Sequence, residues 1–195
     1  IKHQYYSHIW VKPGEYFDMD EKLSKQKLLS SKIVTLEGWL TRCNKSFRKN
    51  EELIRKIFTP NEKYFMRKIN NNIVIGIHIR QKETSFDDNS SFLYLSNDEY
   101  RKIILQCMKL HKDCLFVLVS NLPIDKKYFS DLQVSYTDGH LIQDLYTLAT
   151  CNYIVGASST FSLWASFYGQ VPLCMITSKK QNINQFSFKV YHNLF

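Results

Sequence analysis

Arg80 is the residue with the sharpest chemical signature. It stands directly after the apolar run Ile73-Val74-Ile75-Gly76-Ile77-His78-Ile79. A guanidinium keeps its charge at every relevant pH and can grip a phosphate with two parallel hydrogen bonds. Its alternative use is an ion pair with Glu83 or Asp87. His78, two residues earlier, is either a ligand contact or a satisfied core histidine. A second candidate lies at Tyr153-Ile154-Val155-Gly156, which runs into Ala157-Ser158-Ser159-Thr160 and then into Phe161 to Tyr168 at helical spacing. A strand that feeds a hydroxyl-rich turn and a helix aims unpaired N–H groups and hydroxyls at one point, where partial positive charge suits an anion. The plainer use of Ser159 or Thr160 is to cap that helix.

These groups need elements to hold them. From residue 73 to 176 strand and helix patterns alternate. The β-branched run Ile73 to Ile79 reads as a strand buried on both faces of a parallel sheet. Asn97-Asp98 is expected to cap a helix containing Tyr100, Ile103, Ile104, Cys107 and Met108. Further strands are predicted at Cys114 to Val119, Val134 to Tyr136 and Val171 to Ile176, with a helix from Asp144 to Cys151. The order argues for an α/β fold with a doubly wound parallel sheet. In such a sheet ligands sit beyond the carboxyl ends of the strands. His78, Arg80, Ser120, Asn121, Asp138, His140 and the Ser158 to Ser162 turn all fall at those ends.

Residues 1 to 70 do not repeat this pattern. Residues 1 to 19 read as an irregular aromatic lead-in. Asp20 to Leu29 and Glu51 to Phe58 read as helices, the latter with Leu53, Ile54, Ile57 and Phe58 on its buried side. Ile33 to Leu36 is strand-like, and Asn61 opens a helix containing Tyr64, Phe65 and Ile69. Two regions are therefore expected: 1–70, a lead-in or the tail of a second domain, and 71–195, a Rossmann-like domain.

Composition narrows the function classes. The chain has 195 residues, 44% of them hydrophobic, enough for one sizeable core or two small ones. A net charge of +8 favours phosphorylated or polyanionic partners. The basic residues are dispersed, however, and no nucleic-acid signature accompanies them, so nucleic acid is not the expected partner. No apolar run approaches the ~20 residues of a membrane span. The five cysteines, Cys43, Cys107, Cys114, Cys151 and Cys174, are odd in number and form no C-x-x-C pair. That usage points to a reducing compartment without structural zinc, hence to the cytoplasm or the cytoplasmic face of a membrane.

Taken together, the motifs resemble those of the GDP-fucose-dependent fucosyltransferases, inverting enzymes of the GT-B type. Ile77-His78-Ile79-Arg80-Gln81-Lys82-Glu83 looks like their H-x-R-R-x-D motif. Leu36-Glu37-Gly38-Trp39, followed by Ile54-Arg55 and Phe58, is similar to the L-x-G-Y…I-R…F segment of the α-1,2-fucosyltransferases. Phe116 to Asn121 resembles their F-x-x-F-S-D-D, and Asp144-Leu145…Cys151…Ser158-Ser159-Thr160-Phe161-Ser162-Leu163-Trp164 their D-L…C…N-S-T-F-S-W-W. The likeness covers residues 36 to 176, in order.

The resemblance implies a GT-B donor domain with part of an acceptor domain. It also implies transfer of L-fucose from GDP-fucose to a glycan hydroxyl with inversion, without metal or cofactor. Arg80 would hold the donor diphosphate, His78 would lie near the nucleoside, and Ser158, Ser159, Thr160, Phe161 and Ser162 would serve the β-phosphate. Asn121 ends the F-x-x-F-S-D-D-like strand, on the donor side. Asp138 and Asp144 lie where related enzymes place a guanine-contacting or sheet-edge carboxylate, with either residue open to that place. A general base is expected from Glu83, Asp87 or Asp88, or equally from a portion outside this sequence. The chain departs from the pattern at Gln81, Glu83, Asn121 and Ser158. It begins at Ile1 and carries no Gly-rich G-G-L-G-N-Q start, so a fragment is expected. The competing expectation is a nucleotide- or glycan-binding module without activity.

Overall fold

The computed structural model describes residues 4–38, 41–64, 73–82 and 93–192. They fall into two units, one ending at Ile57 and one beginning at Phe58.

The first unit opens with β1 (Gln4–Trp10), β2 (Phe17–Asp18), α1 (Lys22–Leu28), β3 (Ser31–Glu37) and β4 (Thr41–Arg42). β1 pairs in parallel with β3, and β2 with β4. The expected irregular lead-in therefore holds two strands. Tyr5, Tyr6, Ile9 and Trp10 favour extended backbone, but their partner lies more than twenty residues away, beyond local pattern. α2 (Asn44–Lys49) is capped from a distance. The carboxylate of Asp20 accepts the N–H groups of Lys45 (2.7 Å) and Ser46 (3.2 Å) and the Ser46 hydroxyl. α3 (Glu51–Ile57) forms where expected, but Leu53 and Ile57 of its apolar side are 54% and 64% exposed. Periodicity marks an apolar stripe without supplying an element to cover it.

The second unit starts on a segment tied to its own helices. Glu62–Tyr64 makes a 3-10 turn where the expected helix opens, and the rest of that helix, with Phe65 and Ile69, lies outside the described residues. Then follow β5 (Ile73–Ile79), α4 (Asn97–Leu110), β6 (Cys114–Ser120), β7 (Val134–Tyr136), α5 (Leu141–Leu148), β8 (Tyr153–Ala157), α6 (Thr160–Gly169) and β9 (Leu173–Ile176). The five strands form one sheet in the order β7-β6-β5-β8-β9, every pair parallel. This is the doubly wound α/β arrangement.

Alternation along the strands builds two cores. Ile75, Ile77, Ile79, Phe116 and Leu118 pack on Tyr100, Ile103, Ile104 and Cys107 of α4. Ile154, Val119 and Leu173 meet Tyr146 and Leu148 of α5 and Ala165 of α6 on the other face. At Gly76 a Cβ would lie 2.5 Å from Leu148 Cδ2, so the missing side chain lets α5 lie close on β5.

α4 begins one residue earlier than Asn97-Asp98 suggests as a cap. Ser96 accepts the Glu99 N–H and Glu99 accepts the Ser96 N–H, a reciprocal capping box. α5 also begins earlier, with His140 at its cap. The entry segment is pinned to these helices. The Tyr146 hydroxyl donates to the Phe58 carbonyl, Phe58 packs edge-on to Trp164 at 5.3 Å, and Tyr64 stacks on His140 at 4.9 Å. No described helix is long and apolar enough to cross a membrane.

Candidate functional site

β5 and β8 are neighbours, with His78 opposite Gly156. The chain leaves β5 toward β6 on one side and returns from β7 to β8 on the other. The strand order therefore reverses between β5 and β8, where ligands bind in sheets of this kind. Arg80 and the turn ending β8 leave the sheet side by side at its carboxyl edge. A cavity of about 240 Å³ opens there, lined by His78, Arg80, Ser120, Asn121, Asp144, Ser159 and Phe161 among others. A second cavity of about 390 Å³ adjoins it over β6 and β7 and shares Ser120, Asn121 and Gly139.

Arg80 is half-buried at the first cavity. Its N–H donates to the Tyr100 hydroxyl at 3.0 Å. Tyr100 is fully buried in the α4 core, so the backbone that carries the guanidinium is fixed from beneath. Burial pushes the Tyr100 hydroxyl up to about 12, and it stays protonated.

His78 is 4% exposed, with Nδ1 2.7 Å from Ser162 Oγ and its ring tilted on Phe161 at 4.9 Å. Burial, and then the nearby charge of Arg80, push its pKa down to about 4, leaving the imidazole neutral near pH 7. It is thus both hydrogen-bonded in the core and part of the cavity wall. Gly156 permits this packing: a Cβ there would stand 2.6 Å from Ser162 Oγ and 3.0 Å from His78 Cβ.

The hydroxyls of the turn divide their work. Ser159 caps α6 by accepting the Phe161 N–H at 3.2 Å and lines the cavity. Ser162 is fully buried and engages His78. Ser158 and Thr160 are exposed and lie outside the cavity lining.

The two candidate aspartates also differ. Asp138 is exposed and lines the second cavity, beside Tyr136 and Lys126, whose ammonium sits 4.8 Å over the tyrosine ring. Asp144 is 4% exposed and lines the first, and its Oδ1 has no hydrogen-bond partner among the described residues. Burial raises its pKa, against a hydrogen bond from Thr137 that lowers it. A buried acceptor without a partner is uncommon, and it belongs here to a residue of the cavity lining.

Asn121 accepts the Gln81 N–H at 2.8 Å and donates to the Gln81 carbonyl at 3.1 Å. Glu83, Asp87 and Asp88 lie outside the described residues. Tyr100, Tyr136 and Lys126 belong to the site's surroundings without having stood out in sequence. Tyr100 reads there as one more apolar position on a helix, and only its place beneath β5 marks it. The chain carries one Asp-x-Asp, Asp18-Met19-Asp20, in the first unit. Its carboxylates have other work: Asp18 accepts the Asp20 N–H at 2.8 Å, and Asp20 caps α2. Among the described residues no group of three or more His, Cys, Asp or Glu could hold a metal.

No family model matches the chain, and no curated protein matches it in sequence. Solved fucosyltransferases match it in structure. One is an arginine-to-lysine mutant of Arabidopsis thaliana FUT1 in complex with GDP, with a TM-score of 0.51 and 12% identity over 96% of this chain and 57% of that one. Another is POFUT1 in complex with GDP-fucose, with a TM-score of 0.53 and 12% identity over 85% of this chain and 61% of that one. The chain thus spans about three fifths of the solved structures it matches. At this identity the likeness establishes the fold alone: an α/β domain on a parallel sheet, shared with part of those solved structures.

Proposed function

We propose that this chain belongs to a glycosyltransferase that moves L-fucose from GDP-fucose to a glycan hydroxyl with inversion and without a metal. One observation carries the reading. The Arg80 side chain, the N-terminus of α6 and Asp144, whose buried Oδ1 has no partner among the described residues, meet at one cavity at the reversal of strand order.

Inverting transfer needs an acceptor hydroxyl to attack the anomeric carbon opposite the leaving nucleoside diphosphate. Negative charge grows on that diphosphate as the bond breaks. Arg80 and the N–H groups opening α6 stabilise it, a preorganised electrostatic role. Asp144 accepts the ring N–H and amino N–H of guanine, a pattern that uracil cannot offer in full. His78, neutral at physiological pH, borders the nucleoside without adding charge. The general base comes from the loop after Arg80, with Glu83, Asp87 and Asp88 as candidates. The five cysteines are unpaired, consistent with work in the cytoplasm or at its membrane face.

Titration calorimetry with GDP, UDP and ADP tests the binding half, with GDP expected to bind tightest. Release of fucose or its transfer to a glycan tests the chemistry. Equal affinity for all three nucleotides would refute the reading. A second reading, a nucleotide-binding module without activity, is favoured by Gln81 standing where the motif carries a second arginine. Tight GDP binding with neither hydrolysis nor transfer would select it.

A further inference from the structure

The side chain of Gln81 has an occupation that its place in the motif conceals. Its Nε2 lies 3.0 Å from Ser120 Oγ, 3.0 Å from the Leu122 carbonyl and 3.1 Å from the Pro123 carbonyl. Its backbone exchanges two hydrogen bonds with the Asn121 side chain, at 2.8 and 3.1 Å. One residue at the tip of β5 thus ties down the whole turn after β6. That turn is the partition between the two cavities: Ser120 and Asn121 line both, and Leu122 and Pro123 line the larger.

We infer that Gln81 is a positioning residue, a neutral donor strut that sets the Ser120–Pro123 turn between the two cavities. Carbonyl oxygens call for donors, and a primary amide brings two N–H groups without a charge. A carboxylate in its place would set oxygen against oxygen. A thioether of similar length would fill the space and donate nothing. With its amide committed to the turn, Gln81 is no anion grip. The ligand side of this inference rests on the nucleotide reading above; the strut itself does not.

The test uses the whole chain as wild type, Gln81→Met and Gln81→Glu. Amide hydrogen exchange over residues 120–124 is followed without ligand, and GDP is then titrated by calorimetry. Both variants are expected to keep the wild-type unfolding midpoint to within a few degrees. Both should exchange the turn roughly tenfold faster and bind GDP roughly tenfold more weakly, about 1.4 kcal/mol. Lowering the pH far enough to protonate the introduced carboxyl should restore protection in Gln81→Glu, because a neutral carboxyl regains a donor, while Gln81→Met stays unprotected. Unchanged exchange in Gln81→Met would overturn the strut. A loosened turn with undiminished GDP affinity would overturn the positioning role. If wild type itself does not bind GDP, the nucleotide reading fails, and the exchange data alone decide the strut.

Discussion

At the scale of single residues the site sets charge against burial. Arg80 brings the cation, and Arg80→Ala is expected to lower donor turnover 10²–10³-fold, about 2.7–4 kcal/mol, with an unchanged circular dichroism spectrum. Asp144 is the costly member. Its carboxyl is buried, its Oδ1 has no partner among the described residues, and its pKa is raised by burial. Asp144→Asn removes the buried charge, so the ligand-free protein should gain about 1–3 kcal/mol in denaturant unfolding near neutral pH. That gain should vanish as the pH falls below the raised pKa, where the wild-type carboxyl is itself neutral. The same variant should bind GDP at least tenfold more weakly, since an acceptor for two N–H groups has been replaced. His78 gives an opposite pH signature. Its pKa is about 4 in the fold against 6.5 in the unfolded chain, so its contribution is whole above pH 6.5 and declines as the pH falls toward 4. Equilibrium unfolding between pH 7 and 4 measures this, and His78→Gln should flatten that part of the profile.

At the scale of elements, the close approach of α6 to β5 and β8 depends on Gly156. A methyl there would meet Ser162 and His78 at 2.6 and 3.0 Å. Gly156→Ala should therefore cost about 1–3 kcal/mol, read from the urea midpoint, and part the His78–Ser162 hydrogen bond. The elements differ in how openly the sequence declares them. β5 and β6 are near-continuous apolar runs because both of their faces are covered, and they stand where the pattern predicts them. β1 is hidden because its alternation mixes tyrosine, serine and histidine, and its pairing with β3 is remote in sequence. Arg80 and the β8 turn are placed at the carboxyl edge by rule, since the chain after each strand of a parallel sheet leaves at that edge. Which turn hydroxyl reaches the cavity is settled by the phase of the α6 cap, and that no periodicity reports. The unpaired oxygen of Asp144 is likewise a fact of assembly: in sequence it is one acidic residue near a helix start.

At the scale of the whole molecule, the described lining of both cavities comes from the second unit. Bound GDP should raise the stability of that unit by about 2.7 kcal/mol at a hundredfold excess over Kd, seen as gained hydrogen-exchange protection in peptides of β5, β6, α5 and α6. The net charge of +8 is carried by dispersed residues, so that affinity should fall only modestly between low and physiological salt, unlike the steep fall of a nucleic-acid binder. The fastening of Phe58 to Tyr146 and of Tyr64 to His140 gives α5 two duties. The helix whose first turns carry Asp144 to the cavity wall also moors the segment that opens the second unit. A pull on that opening segment would be felt at the cavity wall, and a ligand settling there would stiffen the mooring.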